Sequence, residues 1–296
     1  MKEKPFSKYQ ILANAVMIIW TLAIILPFIL LFMSSITDEN TLVANGYSFF
    51  PKKFSLASYS YIIKSGGQIL KAYGVSIGVT VVGTLLNVLL SALMAYPLSV
   101  KNLPGRNVMM FFVFFTMLFN GGIVPSYIMW TGTFHIKDTI FAQLLPNFLL
   151  SAWNVMMIRT YFTTSIPDGL YEAAEIDGAS QFTIFWKIVL PLGKPILVTM
   201  GTFAGLAYWN DWTNGLYYII KNTGLYNVQN LLNQMVQNIQ FLTQSSNSNV
   251  TAAASTIPAT GIQMAIAFVA ILPIMLIFPS LQKYYAKGIA LGAVKG

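Results

Sequence analysis

The residues able to do chemistry in this chain are few, and most familiar chemistries lack the parts they need. There is no cysteine, so disulfides, thiolate metal sites and a cysteine nucleophile are excluded. The single histidine, His135, cannot build a polyhistidine metal site or a histidine proton relay, and beside Lys137 and Asp138 it reads as a solvated loop residue. The only Gly-Lys pair, Gly193-Lys194, is followed by Pro195 and lacks the preceding glycine of a phosphate-binding loop, so the chain has no cradle for a nucleotide. The remaining concentration of acid is Glu172, Glu175 and Asp177, in the stretch Ser165-Ile166-Pro167-Asp168-Gly169-Leu170-Tyr171-Glu172-Ala173-Ala174-Glu175-Ile176-Asp177-Gly178-Ala179-Ser180. Ser165 suits a helix N-cap, Pro167 a first turn, and Asp168 the positive end of a helix dipole. Gly178 suits a helix end, and Ala173 and Ala174 leave a shallow face. A short acidic helix with small residues is either a docking surface or a solvated loop, and composition does not separate the two. No catalytic group and no metal site are expected.

The elements that must position this stretch are membrane helices. Of 296 residues, 56% are hydrophobic and 9% charged, with a mean hydropathy of +0.64. A soluble domain carries roughly 25% charged residues. The apolar residues fall into runs long enough to cross a bilayer core of about 30 Å. The net charge of +8 then points to topology and anionic lipid rather than nucleic acid. An all-α polytopic chain with six transmembrane helices is expected, with spans at Ile11–Met33, Tyr73–Leu98, Asn107–Trp130, Thr139–Tyr161, Leu192–Trp212 and Gly261–Leu281. Residues 1–10 form an N-terminus, 11–34 the first helix, 35–72 an outer loop, 73–281 a five-helix core and 282–296 a tail. Within the core lie an inner loop at 162–191 and an outer excursion at 222–260. Apolar residues from Leu225 to Leu242 recur there at helical spacing opposite a face of Asn and Gln, which predicts an amphipathic surface helix.

Even-numbered spans put both termini on one side. With them inside, the inner segments hold Lys2, Lys4, Lys8, Lys101, Arg106, Arg159, Lys187, Lys194, Lys283, Lys287 and Lys295, and the outer ones only Lys52, Lys53, Lys64, Lys71, Lys137 and Lys221. The positive-inside rule therefore makes the termini cytoplasmic. Gly121-Gly122 and Pro125 interrupt the third span, and broken helices are tolerated where they line a cavity or are buried in protein. Gly74-x-x-x-Gly78 and Gly201-x-x-x-Gly205 either let helices approach closely or reflect the ordinary abundance of glycine in membrane helices. Polar and aromatic side chains in or near the spans are pathway candidates: Asn87, Asn120, Tyr127, Trp153, Asn154, Trp209, Asn210 and Trp212. For each, helix packing or an interfacial belt is the competing explanation.

Glu172-Ala173-Ala174, three residues, Gly178, nine residues, then Ile188-x-Leu190-Pro191 resembles the EAA loop of ABC-importer permeases at every motif position. Ser34-Ser35, the run from Phe54 to Tyr59, Trp209-Asn210-Asp211 and the tail from Lys287 to Gly296 are similar to the carbohydrate branch, and the tail to its maltose-type subunit. The stretch Gly121 to Tyr127 is similar to an oligosaccharide sub-branch. The resemblance implies a type I ABC importer permease fold in a bacterial cell membrane. It implies an ATPase-coupling set of Glu172, Ala173, Ala174, Glu175, Asp177, Gly178, Ala179, Ile188, Leu190 and Pro191, and tail contacts to the ATPase at Gly288, Gly292, Lys295 and Gly296. The implied partners are a second, homologous permease, two ATP-binding subunits carrying ATP and Mg, an extracellular solute-binding protein and a carbohydrate substrate, held mainly by the other permease. The competing class is an ion-coupled secondary transporter, which places ionisable residues at mid-membrane. Here the spans are almost free of charge at that depth. A channel would need a carbonyl filter or charged rings, and neither is evident.

Overall fold

The computed structural model describes residues 8–64, 66–244 and 259–293. Secondary structure among them is helical apart from an isolated bridge between Thr37 and Phe54. In chain order the helices are α1 (Lys8–Ser35), α2 (Glu39–Asn45), α3 (Ala57–Lys64), α4 (Gly66–Ser99), α5 (Arg106–Leu118) and α6 (Ile123–Ile128, prolonged by a π turn, Met129–Thr133). There follow α7 (Phe141–Leu144), α8 (Ala152–Ser165), α9 (Asp168–Ile176) and α10 (Gln181–Ile184). A π turn, Phe185–Val189, leads into α11 (Leu190–Leu192), then α12 (Lys194–Asn210), α13 (Thr213–Tyr218), α14 (Val228–Gln244) and α15 (Ala259–Ala293).

Three of these helices are long and apolar enough to cross a membrane, at Tyr9–Ser35, Gly67–Ser99 and Thr260–Ile277, and two bent pairs raise the number to five among the described residues. The expected third span is one such pair. It breaks between α5 and α6 with a bend of 110°, at Gly122, whose φ of +83° suits a residue without a Cβ. The Asn120 side-chain oxygen accepts the Gly122 N–H at 2.8 Å and holds the break. The expected fourth span, 139–161, is not one helix. Pro146 and the left-handed Asn147 (φ +67°) separate α7 from α8, because proline offers no N–H to continue a helix. With 14 residues, α8 is about 21 Å long, short of a bilayer core. The last helix does not stop at Leu281 but runs on to Ala293, so much of the expected tail is helical.

The chain forms two compact units, Met1–Ile69 with Leu232–Pro273, and Leu70–Leu231 with Ile274–Gly296. In the first, α1 is exposed over most of its length and ends in Ser35, whose hydroxyl pairs with the Tyr59 phenol at 2.8 Å. Glu39 reaches across to α15, its two carboxylate oxygens accepting the Thr260 and Gly261 N–H groups at 2.9 and 2.8 Å. That is a borrowed N-cap, with negative charge at the positive end of a long helix. Ser58 lies so close to Gly261 that a Cβ there would collide with its hydroxyl.

The second unit is built on α4, α8 and α12. Its main apolar core joins Ala92, Ala95 and Leu98 of α4, Val155, Ile158 and Phe162 of α8, and Ile196 and Met200 of α12, with Ile184, Phe185 and Val189 between them. Small residues do set helix approach here, though not all those the sequence suggested. A Cβ on Gly201 or Gly205 would press Val88 or Thr84 of α4 at 3.3 Å, whereas Gly74 and Gly78 face open space. Gly83 is the tighter site, since any Cβ there would overlap the ring of Tyr208.

Candidate functional site

The acidic stretch folds as α9, flanked by turns that its own residues close. Ser165 does not cap it. Ser165 is the last residue of α8, and α9 starts after Pro167, whose extended backbone (ψ 137°) redirects the chain. Asp168 then stands in the first turn, favoured by the dipole, and forms an ion pair with Lys101. Both partners are more than half exposed, so the pair contributes at most about 1 kcal/mol. At the other end Asp177 N–H bonds to Ala173 O at 3.0 Å, Gly178 N–H to Glu175 O at 3.0 Å and Ala179 N–H to Ala174 O at 2.9 Å. Gly178 turns the chain with φ +75°, and nothing lies within 4 Å of where its Cβ would be. Its glycine is therefore required by backbone conformation and not by crowding. Ser180 caps α10 by accepting the Thr183 N–H at 3.2 Å.

The two alanines divide their labour. Ala174 is buried at 8% exposure and belongs to the apolar core, so it faces inward and does not extend the docking face expected of the pair. Ala173 is exposed, together with Glu172, Glu175, Asp177 and Gly178. Ile176, at 86% exposure, stands beside them. A small, acidic surface with Ile176, and Leu170 nearer the start, as exposed apolar side chains thus sits on a helix that Tyr171 and Ala174 pack on the core. Further along, Ile188 and Leu190 are half-buried against the same core and Ala179 joins them, while Pro191 is exposed. At Gly193 the chain bends by 78° into α12. A side chain at that position would run into the Phe162 ring.

The long helix α4 ends against this assembly. The Leu98 carbonyl, free at the helix C-terminus, accepts from Arg106 Nε at 2.9 Å and Arg159 Nε at 3.2 Å, two cations at the negative end of a dipole. Tyr96, one turn from the end of α4, donates its phenol proton to Gln181 Oε1 at 2.6 Å, and Gln181 Nε2 donates to Glu175 Oε1 at 2.9 Å.

The pathway candidates do not converge on one site. Asn87 and Asn154 are buried and satisfied by protein: Asn154 Nδ2 donates to Asn87 Oδ1 at 2.7 Å, and Asn87 Nδ2 to the Phe148 carbonyl at 2.6 Å. Trp209 is buried near Tyr73, and Tyr127 stacks on Tyr218 with centroids 5.8 Å apart. Asn120 serves the break before α6. Asn210, Trp212 and Trp153 are exposed. Of these, Trp153 shares one face of α8 with the exposed Met157, Thr160 and Thr164. In the tail, Gly288 and Gly292 are helical within α15, and Lys295 and Gly296 lie outside the described residues.

Sequence reasoning missed a buried amide node remote from α9. Gln143, Asn214, Asn227 and Asn230 are at most 5% exposed, as is Asp211. Asn227 Nδ2 donates to the Asp211 carbonyl at 2.6 Å and Gln143 Oε1 at 3.4 Å, and its Oδ1 accepts the Asn230 N–H at 2.8 Å. Asn230 Nδ2 reaches the Trp212 carbonyl, and Asn214 Nδ2 the Pro146 carbonyl at 3.1 Å. Asp211 Oδ1 accepts from Thr213 N, Thr213 Oγ1 and Asn214 N at 3.0, 2.8 and 3.2 Å. Close by, Asp138 Oδ1 accepts three consecutive N–H groups, from Ile220, Lys221 and Asn222, at 2.7, 2.7 and 3.2 Å. The Lys221 N–H above all, with its two neighbours and the Lys137 charge, holds that carboxyl below the usual aspartate range. Two members of the predicted Asn-and-Gln face, Asn227 and Asn230, are thus turned inward at its start. No run of polar residues advertises this node, because its members lie far apart in the sequence.

A helical membrane chain with a glycine-ended helix packed on its core, and no phosphate-binding loop of its own, has the build of a transport permease. It belongs to the family of binding-protein-dependent transport system inner membrane components, which matches residues 73–291. Protein LplC of Bacillus subtilis is 37% identical over 92% of this chain and 90% of its own length. The polygalacturonan/rhamnogalacturonan transport system permease protein YtcP of the same organism is 36% identical over 97% of this chain and 98% of its own. Among solved structures, a bacterial ABC transporter involved in import of the acidic polysaccharide alginate superposes with a TM-score of 0.79 at 26% identity, covering 96% of this chain and 100% of that one. The chain is a multi-pass permease of an ABC carbohydrate importer, related to transport subunits and not to enzymes.

Proposed function

We propose that this chain forms half of the translocation pathway of an ATP-driven, binding-protein-dependent importer of oligosaccharides, and that α9 is the helix on which an ATPase subunit docks. The observation that carries the reading is the two-sided build of α9. Tyr171 and Ala174 fix it to the core while Glu172, Ala173, Ile176 and Asp177 stand free for a partner. A chain without a nucleotide cradle needs ATP and Mg supplied on two separate ATP-binding subunits, and a second, homologous permease to complete the pathway. An extracellular solute-binding protein delivers the sugar. Both termini are cytoplasmic, in keeping with the lysine distribution, and Gly288 and Gly292 at the end of α15, with Lys295 and Gly296 beyond it in the sequence, meet the ATPase pair. The Trp153–Met157–Thr160–Thr164 face of α8 offers an aromatic ring and hydroxyls toward a sugar. The names of relatives that handle polygalacturonan and alginate favour fragments of acidic polysaccharides as cargo.

The test is purification of the complete importer carrying Gly178→Asp or Ala173→Trp. Insertion of the permease is expected to be normal, with loss of the ATPase from the complex or of ATP-driven uptake. Normal ATPase retention and uptake in both variants would remove α9 as the docking site. Uptake of trigalacturonate, an alginate trisaccharide and arabinotriose, compared side by side, reads the cargo class, and a preference for arabinotriose would overturn the acidic assignment.

A further inference from the structure

Covalently, α9 is joined only to α8 before it and to α10–α12 after it. The long helix α4 has no chain connection to α9 and must receive any displacement through side chains. Besides the apolar core that Ala92, Ala95 and Leu98 share with Ala174, two polar routes run between them. The Lys101–Asp168 ion pair is exposed on both sides, and such pairs transmit little because water competes for each charge. Tyr96 is 8% exposed and touches three elements: its ring stacks near Tyr171 of α9 at 6.5 Å and packs against Phe185 at 5.4 Å, and its phenol donates to Gln181. Gln181 is in turn bonded to Glu175 of α9. The turn of α4 that bears Tyr96 is itself tied down, since Leu98 O accepts from both Arg106 and Arg159.

We infer that Tyr96 and Gln181 are the positioning residues that carry movement of α9 into α4, as a directed chain from the α4 phenol through the Gln181 amide to the Glu175 carboxylate. The inference rests on α9 being the docking helix. Moving α9 must carry the Tyr171 ring against Tyr96 and either pull on the half-sheltered Tyr96–Gln181 bond or break the exposed Gln181–Glu175 bond, whereas the Lys101 pair has no ring contact behind it and re-forms with water. Glu175, placed in the coupling set by its motif, therefore has its side chain turned toward Gln181 as well as toward solvent.

The experiment exploits the absence of native cysteine. A single cysteine replaces the exposed Ile77 of α4. Its rate of labelling by a membrane-impermeant maleimide is compared in the complete importer, nucleotide-free and trapped with ATP and vanadate. Tyr96→Phe keeps the ring and deletes the donor, Gln181→Leu deletes the middle link, and Lys101→Ala removes the ion pair. A lost hydrogen bond of ordinary strength corresponds to roughly a three- to ten-fold reduction in the nucleotide-dependent change of labelling. That reduction is expected for Tyr96→Phe and Gln181→Leu with the ATPase still bound. The double variant should be no worse than either single one, because both remove the same link. Lys101→Ala should stay within about two-fold of the parent. The inference fails if the parent shows no nucleotide-dependent change, if Tyr96→Phe leaves that change intact, if Lys101→Ala abolishes it equally, or if Tyr96→Phe sheds the ATPase. Failure of the docking reading is separate, since it shows as full ATPase retention and uptake in Gly178→Asp and Ala173→Trp.

Discussion

The core around α9 and the amide node around Asp211 lie in the same compact unit but are held by opposite means. Around α9 the contacts are alanines, aromatic rings and branched side chains in van der Waals contact, with hydrogen bonds confined to the helix ends and to Tyr96. Around Asp211 the interior is made of amides and one carboxylate, the amides bonded in direction as well as distance and the carboxylate through Oδ1, while its Oδ2 is buried without a partner. Apolar packing is non-directional and lets surfaces slide a little without losing everything. A buried amide network is intolerant, because every broken bond leaves an unsatisfied group away from water. The comparison suggests a joint at one end of the unit and a clamp at the other.

The sharpest way to break that contrast is at the node. Asn227→Leu leaves the Asp211 carbonyl, Gln143 Oε1 and the Asn230 N–H without their partner, and is expected to cost about 3 kcal/mol or more, read as a drop in the thermal unfolding midpoint of the purified permease. A loss under about 1 kcal/mol would mean that water relieves the node and that it is no clamp. Next, Ala174→Leu must force four heavy atoms' worth of side chain beneath α9 in place of a methyl group, at about 1–3 kcal/mol. The same change at the exposed Ala173 should leave unfolding unaltered and act only on ATPase retention. Equal destabilisation by both would show that α9 packs by both faces. Gly178→Ala pays the left-handed backbone penalty of roughly 1 kcal/mol without a clash, and Gly178→Asn should recover much of it. If Asn is no better than Ala, the glycine serves close approach of a partner instead.

The smallest effect belongs to Asp138, and its pH dependence lies in acid. Its folded-state pKa is depressed, chiefly by the Lys221 N–H. Its contribution is therefore present in full above the unfolded pKa of about 3.9 and disappears as pH falls through the lower folded value. Asp138→Asn should flatten that segment of the stability–pH curve and lower stability at neutral pH, where the carboxylate's contribution is present in full. An unaltered acid limb would show that the three N–H groups find other acceptors.

The α9 region was legible because its information is local. A helix end at Gly178, small residues and acid fall within a dozen positions, and the spacing to Ile188, Leu190 and Pro191 is fixed along the chain. Even there the sequence could not tell Ala173 from Ala174, since which of two adjacent alanines faces the core depends on how the helix is docked. The node was illegible for the converse reason. Gln143, Asp211 and Asn227 each look like an ordinary polar residue near a span end, and only the fold brings them together. Hydropathy likewise merged 139–161 into one span, because an apolar average passes over the interruption at Pro146 and Asn147. The interruption at Gly121-Gly122 was readable, since a glycine pair beside Pro125 marks a break in any register.

The continuous α15 has a geometric consequence. A helix of 35 residues is about 52 Å long, some 20 Å more than the hydrocarbon it has to cross. Glu39 grips its first turns through Thr260 and Gly261, and the helix runs on without a break to Ala293. Each residue added along a helix turns everything beyond it by about 100°. One inserted residue after Leu281 would rotate the Gly288–Gly292 face to a different bearing while leaving its chemistry intact, whereas seven would advance it by about 10 Å and return it nearly to phase. For such a helix, azimuth and reach are separate properties, and each can be altered without touching the other.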